Sequence, residues 1–236
     1  MMDATRCLSV QRYPGRGILF GKTLDGAYAA AAYFLMGRSG LSRGRILFPT
    51  ADGAAVRLSG ETRGDTSLLL YTPVRRCGKT LIVANGDQSD TICSYLANGG
   101  TFRSALLTRS YEPDAPHFTP RVSGALTAGD GDMAYTLAIL RKDPRGMDCL
   151  RDFYEYGAPP AGVGHLLYTY AGDGDPLPSF EGGALSVLLP EGDPDAFTDA
   201  LWNSLDAENR VGLYVAFLPL AGGEPVACLR NKRDIG

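Results

Sequence analysis

Two histidines, His117 and His165, are all that 236 residues provide, too few for a histidine-built metal site. The five cysteines, Cys7, Cys77, Cys93, Cys149 and Cys228, are odd in number and widely scattered. None forms a CxxC or zinc-like spacing, which excludes a metal ribbon. Free, mostly buried thiols are therefore expected. No apolar run approaches the roughly 20 residues that span a bilayer. The opening stretch, MMDATRCLSVQRYPGRG, lacks the continuous apolar segment of a signal peptide. A cytoplasmic location with no membrane partner is the expectation. Neither sign of charge is in excess: 23 Lys+Arg against 26 Asp+Glu leave a net −3. Global charge thus gives no argument for a nucleic-acid partner, and none is expected; any anion site must be a local cluster. A Gly-x-Ser-x-Gly elbow is absent. Gly21-Lys22-Thr23 and Gly78-Lys79-Thr80 imitate the end of a phosphate loop, but Arg16 and Pro73 stand where its first glycine is needed.

Glycine and proline, by contrast, are plentiful, with 30 and 15 residues. Short apolar runs lie between them, the pattern of a strand-rich chain. Strands are expected at 17–23, 27–35, 45–49, 54–58, 67–73, 80–84, 122–126, 133–141, 164–170, 184–189, 212–218 and 226–229. Helices are expected at 90–97, with Asp90 as cap, at 101–108, and at 194–205 behind Asp193. No linker or low-complexity tract interrupts the chain, so a single α+β domain over residues 1–236 is predicted, its helices covering sheets that pack together. The sequence AGDGD occurs at 128–132 and again at 171–175, and both copies read as tight turns.

Three polar segments are candidate sites. In Tyr111–Arg121, YEPDAPHFTPR, three prolines alternate with Glu112, Asp114, His117 and Arg121. Proline excludes a helix interior or central strand, so this is a stiff loop presenting acid, base and cation. A proline-rich surface turn accounts for the same residues. Gly37–Arg45, GRSGLSRGR, gathers Arg38, Arg43 and Arg45 with Ser39 and Ser42. A phosphate grip and a solvated basic turn both satisfy that composition. Asn85–Asp90 follows an apolar run and precedes a helix, a common place to present ligands, although an Asn-Gly turn with a cap is the more frequent reading of those residues alone. His117 is a candidate base or a solvated loop residue, and His165, beside two leucines, reads as structural.

Taken in order, these segments resemble the archaeal-type IMP cyclohydrolases and their bacterial relatives. The resemblance rests on Tyr13-Pro14-Gly15-Arg16-Gly17, Ala32-Tyr33, Arg38-Ser39 with Arg43, and Tyr71 with Arg75. Asn85-Gly86 with Asp90-Thr91-Ile92, Tyr111-Glu112-x-Asp114 and Thr119-Pro120-Arg121 complete it. It is clearest over residues 13–142. Met36-Gly37 and the 115–118 spacer depart from the archaeal pattern.

The resemblance implies a four-layer αββα sandwich like that of the N-terminal-nucleophile hydrolases, without self-processing. It also implies closure of a purine ribonucleotide precursor to IMP, with no cofactor. Tyr71 is then the proton donor, Glu112 the proton acceptor, and Arg38 a phosphate or oxygen ligand, assisted by Ser39 and Arg43. Arg75 adds to anion binding, Asn85 holds the carboxamide or a neighbour, and Arg121 holds or tunes Glu112, keeping it ionised. A purine-nucleotide-binding protein without catalysis and an amide hydrolase of the same fold are the alternatives, and homo-oligomerisation stays open.

Overall fold

The computed structural model describes residues 1–60 and 68–233. In chain order its elements are β1 (Met2–Asp3), α1 (Ala4–Ser9), β2 (Arg16–Lys22), β3 (Tyr28–Met36), α2 (Gly40–Arg43), β4 (Arg45–Thr50) and β5 (Gly53–Leu58). There follow β6 (Val74–Cys77), β7 (Thr80–Ala84), α3 (Gln88–Ala97), α4 (Phe102–Leu107), β8 (Arg121–Gly129), β9 (Asp132–Lys142) and β10 (Cys149–Tyr156). The chain ends with β11 (Val163–Tyr168), β12 (Leu185–Leu188), α5 (Pro194–Ser204), β13 (Arg210–Pro219) and β14 (Val226–Asn231).

The strands form two seven-stranded sheets, ordered β1-β12-β11-β2-β3-β13-β14 and β10-β9-β8-β7-β6-β5-β4. Every pairing is antiparallel except β1 with β12. The class is therefore α+β. The second sheet is a meander taken in sequence order, whereas the first joins strands from both ends of the chain.

Burial on both faces explains why so many strands are continuously apolar rather than alternating. Between the sheets, Phe20 of β2 meets Tyr135 of β9 edge-on, ring centres 5.8 Å apart. On the far face of the first sheet, Phe217 of β13 packs against Phe197 of α5 at 5.2 Å. On the far face of the second, Ile82, Ala138 and Leu140 lie under Ile92 of α3 and Phe102 and Leu106 of α4. Each large side chain so buried contributes about 1.5–3 kcal/mol.

Most expected strands fall within a residue or two of those observed. The exception is 67–73: residues 68–73 form no strand, and Ser67 lies outside the described residues. Pro73 offers no N–H to a ladder. The strand begins instead at Val74, a four-residue piece carrying two arginines that show no apolar run. Asp90 does not cap α3. The cap position is Asp87, and Asp90 sits in the first turn. Asp193 does cap α5, accepting from Ala196 N. The helices α1 and α2 and the strands β1 and β10 are not among the expected elements. The first AGDGD copy turns β8 into β9, with Asp130 and Gly131 at positive φ. The second lies in the longer connection between the paired strands β11 and β12, where Tyr170 and Ser179 form a bridge. Cys77 and Cys93 are disulfide-bonded rather than free, because the end of β6 lies beside α3 with Cα atoms 5.6 Å apart. Of the remaining three, only Cys7 is buried.

Candidate active site

Arg16 enters the space between the sheets from the first residue of β2. Gly15 precedes it at φ +80°, and a Cβ there would lie 2.2 Å from Thr169 Oγ1, so this turn requires glycine. Thr169 clamps the Arg16 backbone from both sides. Its Oγ1 accepts from Arg16 N at 3.2 Å, and its own N–H donates to Arg16 O at 2.9 Å. So held, the buried guanidinium donates from Nη2 to Glu112 Oε1 at 2.9 Å. Its Nε is buried with no acceptor among the described residues.

Glu112 is 3% exposed, on the loop the prolines stiffen. Its N–H donates to Thr119 O at 2.9 Å, and Asp114 cinches the loop by accepting from Thr119 N at 2.6 Å and from the Thr119 hydroxyl. Burial pushes the Glu112 carboxyl up, and the pull of Arg16, then Arg121, only partly offsets it. The expectation that an arginine neighbour holds it below the usual range is thus corrected, since desolvation outweighs the cations.

Asn85 directly follows β7 and is fully buried, its amide occupied by the protein. Nδ2 donates to Pro120 O at 2.9 Å and, at 3.5 Å, to Glu112 Oε1, while Oδ1 accepts from Val122 N and Gln88 Nε2. It holds neighbours. Arg121 makes no hydrogen bond to Glu112; it donates to Gln88 Oε1 at 2.6 Å and pairs with Asp87 at 2.9 Å. A Cβ at Gly86 would fall 2.4 Å from Arg121 Nη1 and 2.7 Å from Gln88 Oε1, so a side chain there would push the ends of both aside.

Tyrosines surround the other side of Arg16. The hydroxyls of Tyr71 and Tyr33 meet at 2.7 Å. Tyr71 is positioned by its own carbonyl, which accepts from Val56 N of β5 at 2.8 Å. Tyr170 meets the Thr119 hydroxyl at 2.5 Å. Its phenol is pushed up to about 12 by burial, against the pull of Arg16.

Arg38 lies one layer out. Its Cζ is 5.2 Å from the Tyr13 ring centre, and Tyr13 stacks on Tyr170 at 5.8 Å. The Arg38 guanidinium is held by Asp173 Oδ1 at 2.6 Å and Gly174 O at 2.8 Å. Ser39 caps α2 by accepting from Ser42 N at 3.1 Å. Arg43 donates to Gly37 O and Asn209 Oδ1, and Arg75 pairs with Asp90 of α3. The structure therefore gathers Tyr71, Glu112, Asn85 and Arg121 around Arg16, with Arg38 adjoining. Ser39, Arg43 and Arg75 make their bonds elsewhere.

His117 turns away from this cluster. Its Nδ1 accepts from Leu177 N at 3.1 Å, and it lines an outer cavity of about 700 Å³ with Lys142, Tyr168 and Phe180. His165 bonds the Tyr135 hydroxyl through Nδ1 at 2.6 Å and stacks on Tyr156, linking the two sheets.

Arg16, Tyr33, Tyr170 and Gln88 were not picked out as site residues from sequence. Arg16 and Tyr33 stood within quoted motifs, so the signal was present. Together they define a class: an α+β protein with a buried polar cluster, built from a carboxylate, a guanidinium and phenols, between two mostly antiparallel sheets. The chain belongs to the family described as IMP cyclohydrolase-like protein, whose model matches residues 13–221. It is also 29% identical over 199 residues to the IMP cyclohydrolase of Methanopyrus kandleri, an alignment covering 75% of this chain and 93% of that protein.

Proposed function

We propose that this chain, working as one domain of the αββα N-terminal-nucleophile type without self-processing, closes 5-formamidoimidazole-4-carboxamide ribotide to IMP. The carboxamide nitrogen attacks the formyl carbon of the same molecule, and water leaves. Nucleophile and electrophile come in one substrate, so the protein's task is orientation and proton movement. The observation that carries this reading is the buried Arg16–Glu112 contact at 2.9 Å beside the Tyr33–Tyr71 pair.

Glu112 takes the proton from the attacking amide. Its raised pKa makes it a stronger base than an exposed glutamate while Arg16 still favours the ionised form. Tyr71 donates to the formyl oxygen. Arg16, with a buried donor lacking an acceptor, stabilises negative charge on that oxygen. Asn85 orients Glu112, and Arg121 acts through Gln88 and Asp87. Arg38 takes the 5′-phosphate in place of Asp173, with Ser39, Arg43 and Arg75 shaping the approach. Ultraviolet monitoring of IMP formation by the purified protein tests the reading. A rise above the uncatalysed rate is expected. Tight IMP binding without turnover would instead identify a nucleotide-binding protein.

A further inference from the structure

We propose that Tyr33 is a positioning residue for Tyr71, donating its hydroxyl hydrogen to Tyr71 Oη and so leaving the Tyr71 hydrogen free for the substrate. The inference rests on the ring-closure reading of the site. Tyr33 stands mid-strand in β3, between Ile18 of β2 and Tyr214 of β13, and is completely buried. Among the described residues its hydroxyl has one hydrogen-bond partner, Tyr71 Oη at 2.7 Å. The charged groups that bear on it are Arg16 of β2 and Arg45 of β4. A guanidinium has donors and no acceptor, so neither can take the Tyr33 hydrogen.

Two arrangements of the pair are therefore possible. If Tyr71 donated inward, the Tyr33 hydrogen would be buried without an acceptor, the costly arrangement. If Tyr33 donates outward, its hydrogen is satisfied, and Tyr71 presents its own toward the Arg16–Glu112 cluster. A phenol oxygen that accepts one hydrogen bond is also polarised into a better donor of the next. Burial pushes the Tyr33 phenol well above the ordinary tyrosine range, against the pull of both arginines, so it stays protonated at any working pH.

Two measurements test this. In Tyr33→Phe, kcat should fall about tenfold, the scale of one lost hydrogen bond, with KM little changed. The second is a comparison of melting temperatures. Tyr71→Phe strands the hydroxyl of the completely buried Tyr33, whereas Tyr33→Phe leaves that of Tyr71, a residue 8% exposed, so Tyr71→Phe should melt lower. An unchanged kcat in folded Tyr33→Phe, or the reverse order of melting, overturns the proposal. If the wild-type protein makes no IMP, the ring-closure reading fails on its own. The melting order, together with a slowly exchanging Tyr33 hydroxyl proton in the NMR spectrum, still decides whether Tyr33 is the donor.

Discussion

Arg38 and Asp173, 135 residues apart in sequence, share a 2.6 Å ion pair in which each side chain is about one-third exposed. The arginine proposed to grip a phosphate is thus already occupied by a carboxylate of the second AGDGD loop. In the proposed function, the nucleotide displaces that carboxylate.

Replacing Asp173 with Ala should therefore free Arg38. KM for the nucleotide is expected to fall about two- to fivefold at low salt, the scale of an exposed ion pair, with kcat unchanged. Steady-state kinetics at two ionic strengths would check this, and a rise in KM would mean that Asp173 positions Arg38 rather than competing for it.

Glu112→Gln keeps the shape of the side chain and removes its charge. Turnover is expected to drop about 10²–10⁴-fold, as for loss of a general base. Because Arg16 would be left buried without its counter-charge, stability should also fall, by roughly 3–5 kcal/mol if the pair behaves as other broken buried pairs do. Urea unfolding alongside single-turnover kinetics separates the two effects. Full turnover in this variant would remove Glu112 from the mechanism.

The raised pKa of Glu112 has a definite sign in the pH dependence. The native state holds this proton to higher pH than the unfolded chain, whose glutamate titrates at about 4.3. Between those values the native state binds more protons, so the Glu112 contribution makes stability decline as pH rises. Asp87 works the other way. Burial would raise it, but Arg109 and Arg121 together hold it low, so its contribution is lost as pH falls. For catalysis, the acid limb of kcat should lie above the ordinary glutamate value. A kcat that stays flat through pH 5 down to 4 would contradict the burial effect on Glu112.

The Cys77–Cys93 bond closes a segment with a sequence separation of 16. It ties α3, which begins at Gln88 behind Asp87, to β6. Cys93→Ser should cost about 3 kcal/mol on the loop-entropy scale, read as a lower melting temperature without reductant. Identical melting of variant and wild type under oxidising conditions would show that the bond contributes nothing.

The strands were legible because apolar runs between glycines and prolines mark sheets buried on both faces. Glu112, Asn85 and Tyr71 were legible through the order of their motifs. Other residues were hidden by their surroundings. Tyr33 sits in YAAAAYFLM, where periodicity sees only core. Gln88 looks like an ordinary first-turn residue until Arg121 and Asn85 close on it. Asp173 carries no local sign of its distant partner. Which arginine touches Glu112 was not readable either, because Arg121 is nearer in sequence and Arg16 is the one that makes the contact. Such pairings are fixed by the stacking of two sheets, which no local pattern encodes.

The interleaved order of the two sheets also bears on how the protein is made. The β4–β10 meander pairs neighbours in sequence and can assemble as it leaves the ribosome. The first sheet must wait for β11–β14. Glu112 therefore has its loop and its Asn85 contact early, whereas Arg16 is pinned only when Thr169 arrives. The Arg16–Glu112 pair is therefore held in place only after Thr169 has been made. A protein truncated before Thr169 would carry most of the recognisable motifs and still lack a formed site.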